Sequence, residues 1–215
     1  MQKLNGPFKL PTNGKKADKL VIFLHGVGAD GLDLINLADD ISEILPNAAF
    51  LSPNAPFPYD DFSSGYQWFS LRDRSEEMLY KGIKTASPIL KNYIDENLKN
   101  HNLSYKDLVL FSFSQGTMMA LQFAPTLPEE CFAVIGFSGA LASPMNLKQD
   151  MQTKPNIFLC HGDDDQVVPF SRHRHSAKAL NDMDFPVEEY IMKGAGHTIT
   201  MSGLKAAKKF LRSLV

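Results

Sequence analysis

The sequence predicts one α/β domain, spanning residues 1–215, with a mainly parallel central sheet covered by helices on both faces. Three observations carry that prediction. Short, nearly continuous apolar runs recur along the chain, helical patterns separate them, and a length of 215 residues suits one α/β domain with a substantial core. Strands buried on both faces lose the alternation of a half-exposed sheet and read as unbroken apolar stretches. Helices between such strands act as crossovers, which makes the pairing parallel and places binding sites beyond the carboxyl ends of the strands. The length leaves no room for a separate lid domain.

Taken in order, the strand candidates are LVIFL (20–24), AAFLS (48–52), LVLFSF (108–113), FAVIGFS (132–138), NIFLC (156–160) and VEEYIM (187–192). Residues 32–45 predict a helix, because Leu34, Leu37, Ala38, Ile41 and Leu45 fall on one stripe. Residues 75–98 predict another, which Pro88 should start, kink or divide. QGTMMALQFA, after the third strand, is apolar nearly all round, as a helix in the middle of a fold would be. Phe170, His173, Ala177 and Leu180 mark a helix over 170–181, and Leu204, Ala207, Leu211 and Leu214 mark the last one. The connection over 53–74 is unusually long and dense in aromatic residues, which points to an ordered loop that serves the site or covers a sheet edge.

The balance of 22 basic and 24 acidic side chains gives a net charge of −2 and no broad field to attract nucleic acid or an anionic membrane. No apolar run approaches a membrane span, and the N-terminal stretch lacks the apolar segment of a signal peptide, so the expectation is a cytoplasmic protein. Two cysteines, Cys131 and Cys160, are too few for a disulfide framework. Placed at the start of one parallel strand and the end of the next, they would also be too far apart to pair.

Chemistry concentrates at the strand ends. LHGVGADG (24–31) carries glycines at G-x-G-x-x-G spacing, but a dinucleotide site needs an acidic residue about 20 positions on for the ribose hydroxyls, and AAFLSPNAP supplies none. Ser112-Phe113-Ser114-Gln115-Gly116 follows the third strand and resembles the G-x-S-x-G turn that lifts a nucleophilic serine above a sheet, with Ser112 in place of the first glycine. A serine needs a base and an acid that orients it. His197 closes the sixth strand in GAGH, and the fifth strand runs into His161 and the acids Asp163, Asp164 and Asp165. The oxyanion of acyl transfer needs two N–H donors: the amide of Gln115, next after the serine, and one from the glycine loop, for which Val27 is placed. His25 is expected to prop that loop. His161 with the aspartates could instead hold a metal, but no HExxH or paired-histidine pattern accompanies them. His173 and His175 point in different directions on a helix, and His101 lies in a polar linker. No metal and no cofactor is expected.

LVIFLHGVGADGLDLINLAD, LSPNAPFP, GYQWFSL, FSFSQGTMMAL, GFSGAL, CHGDDDQVVP and GAGH, in this order, resemble the phospholipase/carboxylesterase family of α/β-hydrolases, which includes acyl-protein thioesterases. The resemblance spans nearly the whole chain. It implies an α/β-hydrolase fold, a triad of Ser114, Asp165 and His197, and oxyanion donors at Val27 and Gln115. It is also what selects Asp165 among the three aspartates. Two positions depart from the pattern: Ser112 replaces the elbow glycine, and Val27 stands where bacterial relatives often carry a larger side chain.

The expected activity is that of a serine carboxylesterase on short to medium acyl esters, working through an acyl-enzyme. An acyl-protein thioesterase or a lysophospholipase is the alternative within enzymes, and a silent hydrolase fold that binds an acyl ligand is the alternative outside them. The expected partner is a small acyl ester or thioester, or else an acylated protein or lysophospholipid, with no nucleic acid and no integral membrane association. Trp68, Phe69 and Leu141 are expected to form the apolar wall of a shallow groove.

Overall fold

The computed structural model describes residues 3–11 and 13–215. A seven-stranded sheet runs in the order β1 (Phe8–Lys9), β3 (Ala48–Leu51), β2 (Lys19–Leu24), β6 (Leu108–Phe113), β7 (Ala133–Phe137), β8 (Ile157–Gly162) and β9 (Val187–Met192). All pairs are parallel except β1 with β3. The six expected strands are present within two residues at each end. The two-residue β1 carries no apolar pattern, and its antiparallel pairing at the edge could not be read from the sequence.

Two layers of helices bury the faces of the sheet. On one face, α3 (Glu76–His101), α4 (Gln115–Phe123), α5 (Pro144–Asp150) and α6 (Phe170–Asp182) contribute Leu79, Ile83, Met119, Leu147 and Leu180 to the core. On the other face, α1 (Leu32–Ile35), α2 (Leu37–Ser42) and α7 (Met201–Leu214) contribute Leu34, Ile41, Leu204 and Phe210. The stripe over 32–45 therefore belongs to two short helices that meet at Asn36, not to one. Helix α3 runs unbroken for 26 residues through Pro88. Pro88 is exposed, so the Lys84 carbonyl that loses its usual N–H partner there can turn to water.

The topology places the site. From β2 the chain crosses one way to β3, then returns past β2 to β6 and continues outward to β9. The direction reverses between β2 and β6, which leaves a crevice at their carboxyl ends. Their register pairs Leu24 with Ser112, so the glycine loop that begins two residues after Leu24 meets Ser114, two residues after Ser112. The long connection folds into a small hairpin, β4 (Phe57–Pro58) with β5 (Tyr66–Gln67). Gly28 N–H donates to Tyr66 O at 2.8 Å, and Tyr66 N–H donates to Ala29 O at 2.8 Å, so this hairpin is stitched to the glycine loop.

Candidate active site

Ser114 occupies a strained turn between β6 and α4, with φ 53° and ψ −116°. A non-glycine residue there costs on the order of 1–3 kcal/mol and persists only when its surroundings fix it. They do: Ser114 N–H donates to Phe137 O at 2.9 Å, and Ser114 O accepts from Thr117 N–H at 3.0 Å. Gly116 lets α4 start against the end of β2, since a Cβ there would stand 1.9 Å from Leu24 O. Ser112 fits without displacement. Its hydroxyl donates to Ile135 O at 2.8 Å, and its partner across the ladder is Gly136. A Cβ on Gly136 would lie 2.6 Å from the Thr117 methyl. The bare backbone that α4 needs beside it is thus supplied by the neighbouring strand.

His197 follows β9, and its Nε2 is 2.9 Å from Ser114 Oγ. Its Nδ1 is 2.7 Å from Asp165 Oδ2. The other oxygen of Asp165 accepts from the N–H groups of Val167 and Val168, both at 2.9 Å. With the carboxylate buried and its Oδ1 so occupied, Oδ2 faces the imidazole and favours the tautomer with a proton on Nδ1. Asp163 and Asp164 are exposed. Asp163 nevertheless has a structural task, because its Oδ1 accepts from Gly194 N–H at 2.6 Å in the turn leading to His197.

His161 is a neighbour whose place the sequence did not reveal. It is fully buried, its Nε2–H donates to Val168 O at 2.8 Å, and the same nitrogen lies 3.3 Å from Asp165 Oδ2. Its Nδ1 has no partner among the described residues. Burial lowers its pKa, so it is neutral at pH 7. Behind it stands the ring of His173, 5.2 Å away between centroids, with its Nε2 3.0 Å from Glu189 Oε2. Burial lowers the pKa of His173 to about 4.

Val27 and Gln115 have no acceptor for their backbone N–H groups among the described residues. Both amides belong to segments that converge on Ser114: a Cβ on Gly26 would lie 3.3 Å from Ser114 Cβ, and Gln115 begins α4. His25 holds the glycine loop from beneath. Its Nε2 accepts from Ala55 N–H at 3.0 Å, which leaves Nδ1 to donate to Gly26 O at 2.7 Å. Burial lowers its pKa as well.

Trp68, Phe69 and Leu141 do not border the cleft beside His197; Phe69 and Leu141 instead edge two separate clefts. The three residues are 0 %, 1 % and 4 % exposed and belong to the core. Trp68 Nε1–H donates to His25 O at 3.0 Å. The Gln115 side chain accepts from Trp68 N–H at 2.9 Å and donates to Phe69 O at 2.6 Å. The sequence pointed to these loop aromatics as the wall of a shallow groove, whereas a buried glutamine ties their backbone to the elbow. The open space beside His197 lies elsewhere, in a cleft of about 330 Å³ bordered by Leu34, Leu37, Phe113 and Ile199.

Comparison with known proteins agrees with this architecture. A family model described as Phospholipase/Carboxylesterase matches residues 7–215. The crystal structure of esterase PE8 superimposes with a TM-score of 0.93 at 37% identity, covering 99% of this chain and 100% of that one. Esterase YpfH of Escherichia coli is 25% identical over 95% of this chain and 87% of its own length. Acyl-protein thioesterase 1 of Saccharomyces cerevisiae is 26% identical over 91% and 92% respectively. With its α/β-hydrolase sheet and a match over almost its whole length, the chain belongs to the phospholipase/carboxylesterase family.

Proposed function

We propose that the protein is a serine carboxylesterase that hydrolyses short to medium acyl esters through an acyl-enzyme on Ser114. The observation that carries this reading is the unbroken line from Ser114 Oγ through His197 to Asp165, with contacts of 2.9 and 2.7 Å. In the first half-reaction, Ser114 Oγ bonds to the ester carbonyl carbon while its proton passes to His197 Nε2. Asp165 stabilises the resulting imidazolium without taking the proton. The carbonyl oxygen becomes an oxyanion, and the amides of Val27 and Gln115 are its donors. The C–O bond to the alcohol then breaks, and the proton on Nε2 goes to the departing oxygen. Water, deprotonated by the same imidazole, attacks the acyl-enzyme and regenerates Ser114.

The same steps accept a thioester. Relatives named acyl-protein thioesterase support that second reading, with an acylated protein or a lysophospholipid as the larger substrate. Comparing kcat/KM on an acylated peptide, a lysophospholipid and a simple ester of equal chain length separates them. Two free buried cysteines fit a reducing, cytoplasmic setting, and among the described residues no helix is long and apolar enough to cross a membrane.

The test is covalent labelling with a fluorophosphonate beside ester hydrolysis. A rapid adduct on Ser114, lost together with about 10⁶-fold of kcat in Ser114→Ala, is the expected result. A folded wild-type protein that neither labels nor turns over any ester would make this a ligand-binding hydrolase fold instead.

A further inference from the structure

The cleft beside His197 lies between the start of the α1–α2 segment and the turn after β9, and its position bears on which half of the substrate it can hold. Leu34 and Leu37 form one wall, while Phe113 and Ile199 form the others. The Phe113 ring is 4.9 Å from the imidazole of His197. Val27, Ser114 and Gln115 do not border the cleft, so it lies on the His197 side of the site and not beside the two amides. The leaving oxygen must receive its proton from His197 Nε2, and His197 does border the cleft.

We infer that this cleft is the leaving-group subsite, and that it selects esters of small apolar alcohols, neutral or cationic, over anionic ones. The inference rests on the reading of Ser114 as nucleophile and His197 as general acid. A volume of about 330 Å³ is at the small end of ligand pockets, roughly 300–1,000 Å³, and suits an aryl or short alkyl alcohol. Among the described residues, Asp33 is the only ionisable group on its border besides His197, and no lysine or arginine lines it. Asp33 is exposed, and its charge is felt by the buried His25. An alcohol carrying phosphate or carboxylate would enter a cleft with no cation to meet it and one carboxylate to repel it. Apolar carbon on the alcohol would be removed from water against Leu34, Leu37, Phe113 and Ile199.

A series of acetate esters tests this, because every member forms the same acetyl-enzyme and differences in kcat/KM then report acylation alone. Methyl, benzyl, choline and 4-carboxybenzyl acetates vary the alcohol; ethyl acetate, butyrate and hexanoate vary the acyl chain. Wild-type protein should prefer benzyl and choline acetates to 4-carboxybenzyl acetate. Asp33→Lys, at an exposed position, should raise the ratio of 4-carboxybenzyl to benzyl acetate about fivefold and lower that of choline acetate. Leu37→Trp, which narrows the cleft, should cut the benzyl-to-methyl ratio about tenfold with the acyl-length profile kept. Ratios that stay put in both variants overturn the assignment. So does a shift confined to the acyl series, which would give the cleft to the acyl chain. Absence of all hydrolysis, with Ser114 unlabelled by fluorophosphonate, would instead remove the underlying enzyme reading.

Discussion

Asp165 illustrates how much of the site depends on groups that never meet substrate. One of its oxygens is held by two backbone N–H groups, and the other faces both His197 and His161. His161 also holds Val168 O, so it fixes the turn that supplies those N–H groups. Replacing His161 with leucine leaves the half-buried Val168 carbonyl without its donor, which should cost about 1 kcal/mol. The turn would loosen with it, and kcat should fall about tenfold while KM changes little. Urea denaturation and steady-state kinetics on the same sample check both effects. An unchanged kcat beside reduced stability would make His161 a packing residue only. Ser112 is the opposite case, an apparent departure from the elbow pattern that its setting accommodates through Gly136 and a hydrogen bond to Ile135.

At the scale of elements, the elbow works because α4 begins in contact with the end of β2. Gly116 is the residue at that contact, with Leu24 O and His25 O in the way of any side chain. Backbone cannot retreat as a flexible side chain can, so Gly116→Ala must move the helix start or the strand end. We expect a loss of at least 100-fold in kcat and a destabilisation of about 2–3 kcal/mol, read by hydrolysis of a simple ester and by thermal unfolding. Activity close to wild type would mean that the helix start is softer than its packing implies. The hairpin of β4 and β5 is coupled to the same place, since its Tyr66 exchanges two backbone hydrogen bonds with the glycine loop. The loop that carries the Val27 amide is therefore held by His25 from below and by the hairpin from the side.

Across the whole molecule, three buried histidines make stability depend on pH. His25, His161 and His173 each have a lowered pKa, with burial as the largest cause. Their unfolded value is about 6.5. Between that and the lowered folded value the unfolded chain binds protons that the folded chain does not, so stability rises with pH through this window. Their contribution is complete above about pH 6.5 and is lost as pH falls from there through each lowered pKa, which for His173 is about 4. At its steepest the loss is about 1.4 kcal/mol per pH unit for each histidine. Urea unfolding at pH 7, 6 and 5 should show a declining midpoint, with a smaller decline in His173→Phe. A midpoint independent of pH over this range would contradict the burial of these rings. We further expect one cooperative transition, because the two helical layers share a single sheet.

The sheet was legible because strands such as Leu20 to Leu24 are buried on both sides and carry their environment in their composition. Ser114 and His197 stood out as candidates because each follows a strand end, whereas the resemblance was needed to choose Asp165 among three adjacent aspartates. Trp68 and Phe69 were misplaced for a related reason: aromatic character shows that a side chain will pack, not which surface it will pack against. The structure puts them under the elbow through the Gln115 side chain. The break at Asn36, the short β1 and the β4–β5 hairpin were equally hidden, since two to four residues are too few to show a period.

By itself, then, the sequence determined the kind of sheet and the family resemblance and offered candidates to attack, transfer a proton and orient a base, from local pattern and residue chemistry, with the resemblance choosing Asp165 among three aspartates. Tertiary structure alone decided that His161 touches Asp165, that Gly136 makes room beside Ser112, and that the open cleft lies next to Leu34, Leu37 and Ile199. Those facts depend on which distant segments come within a few ångströms. Sheet register and helix packing set such distances, and no stretch of sequence contains them.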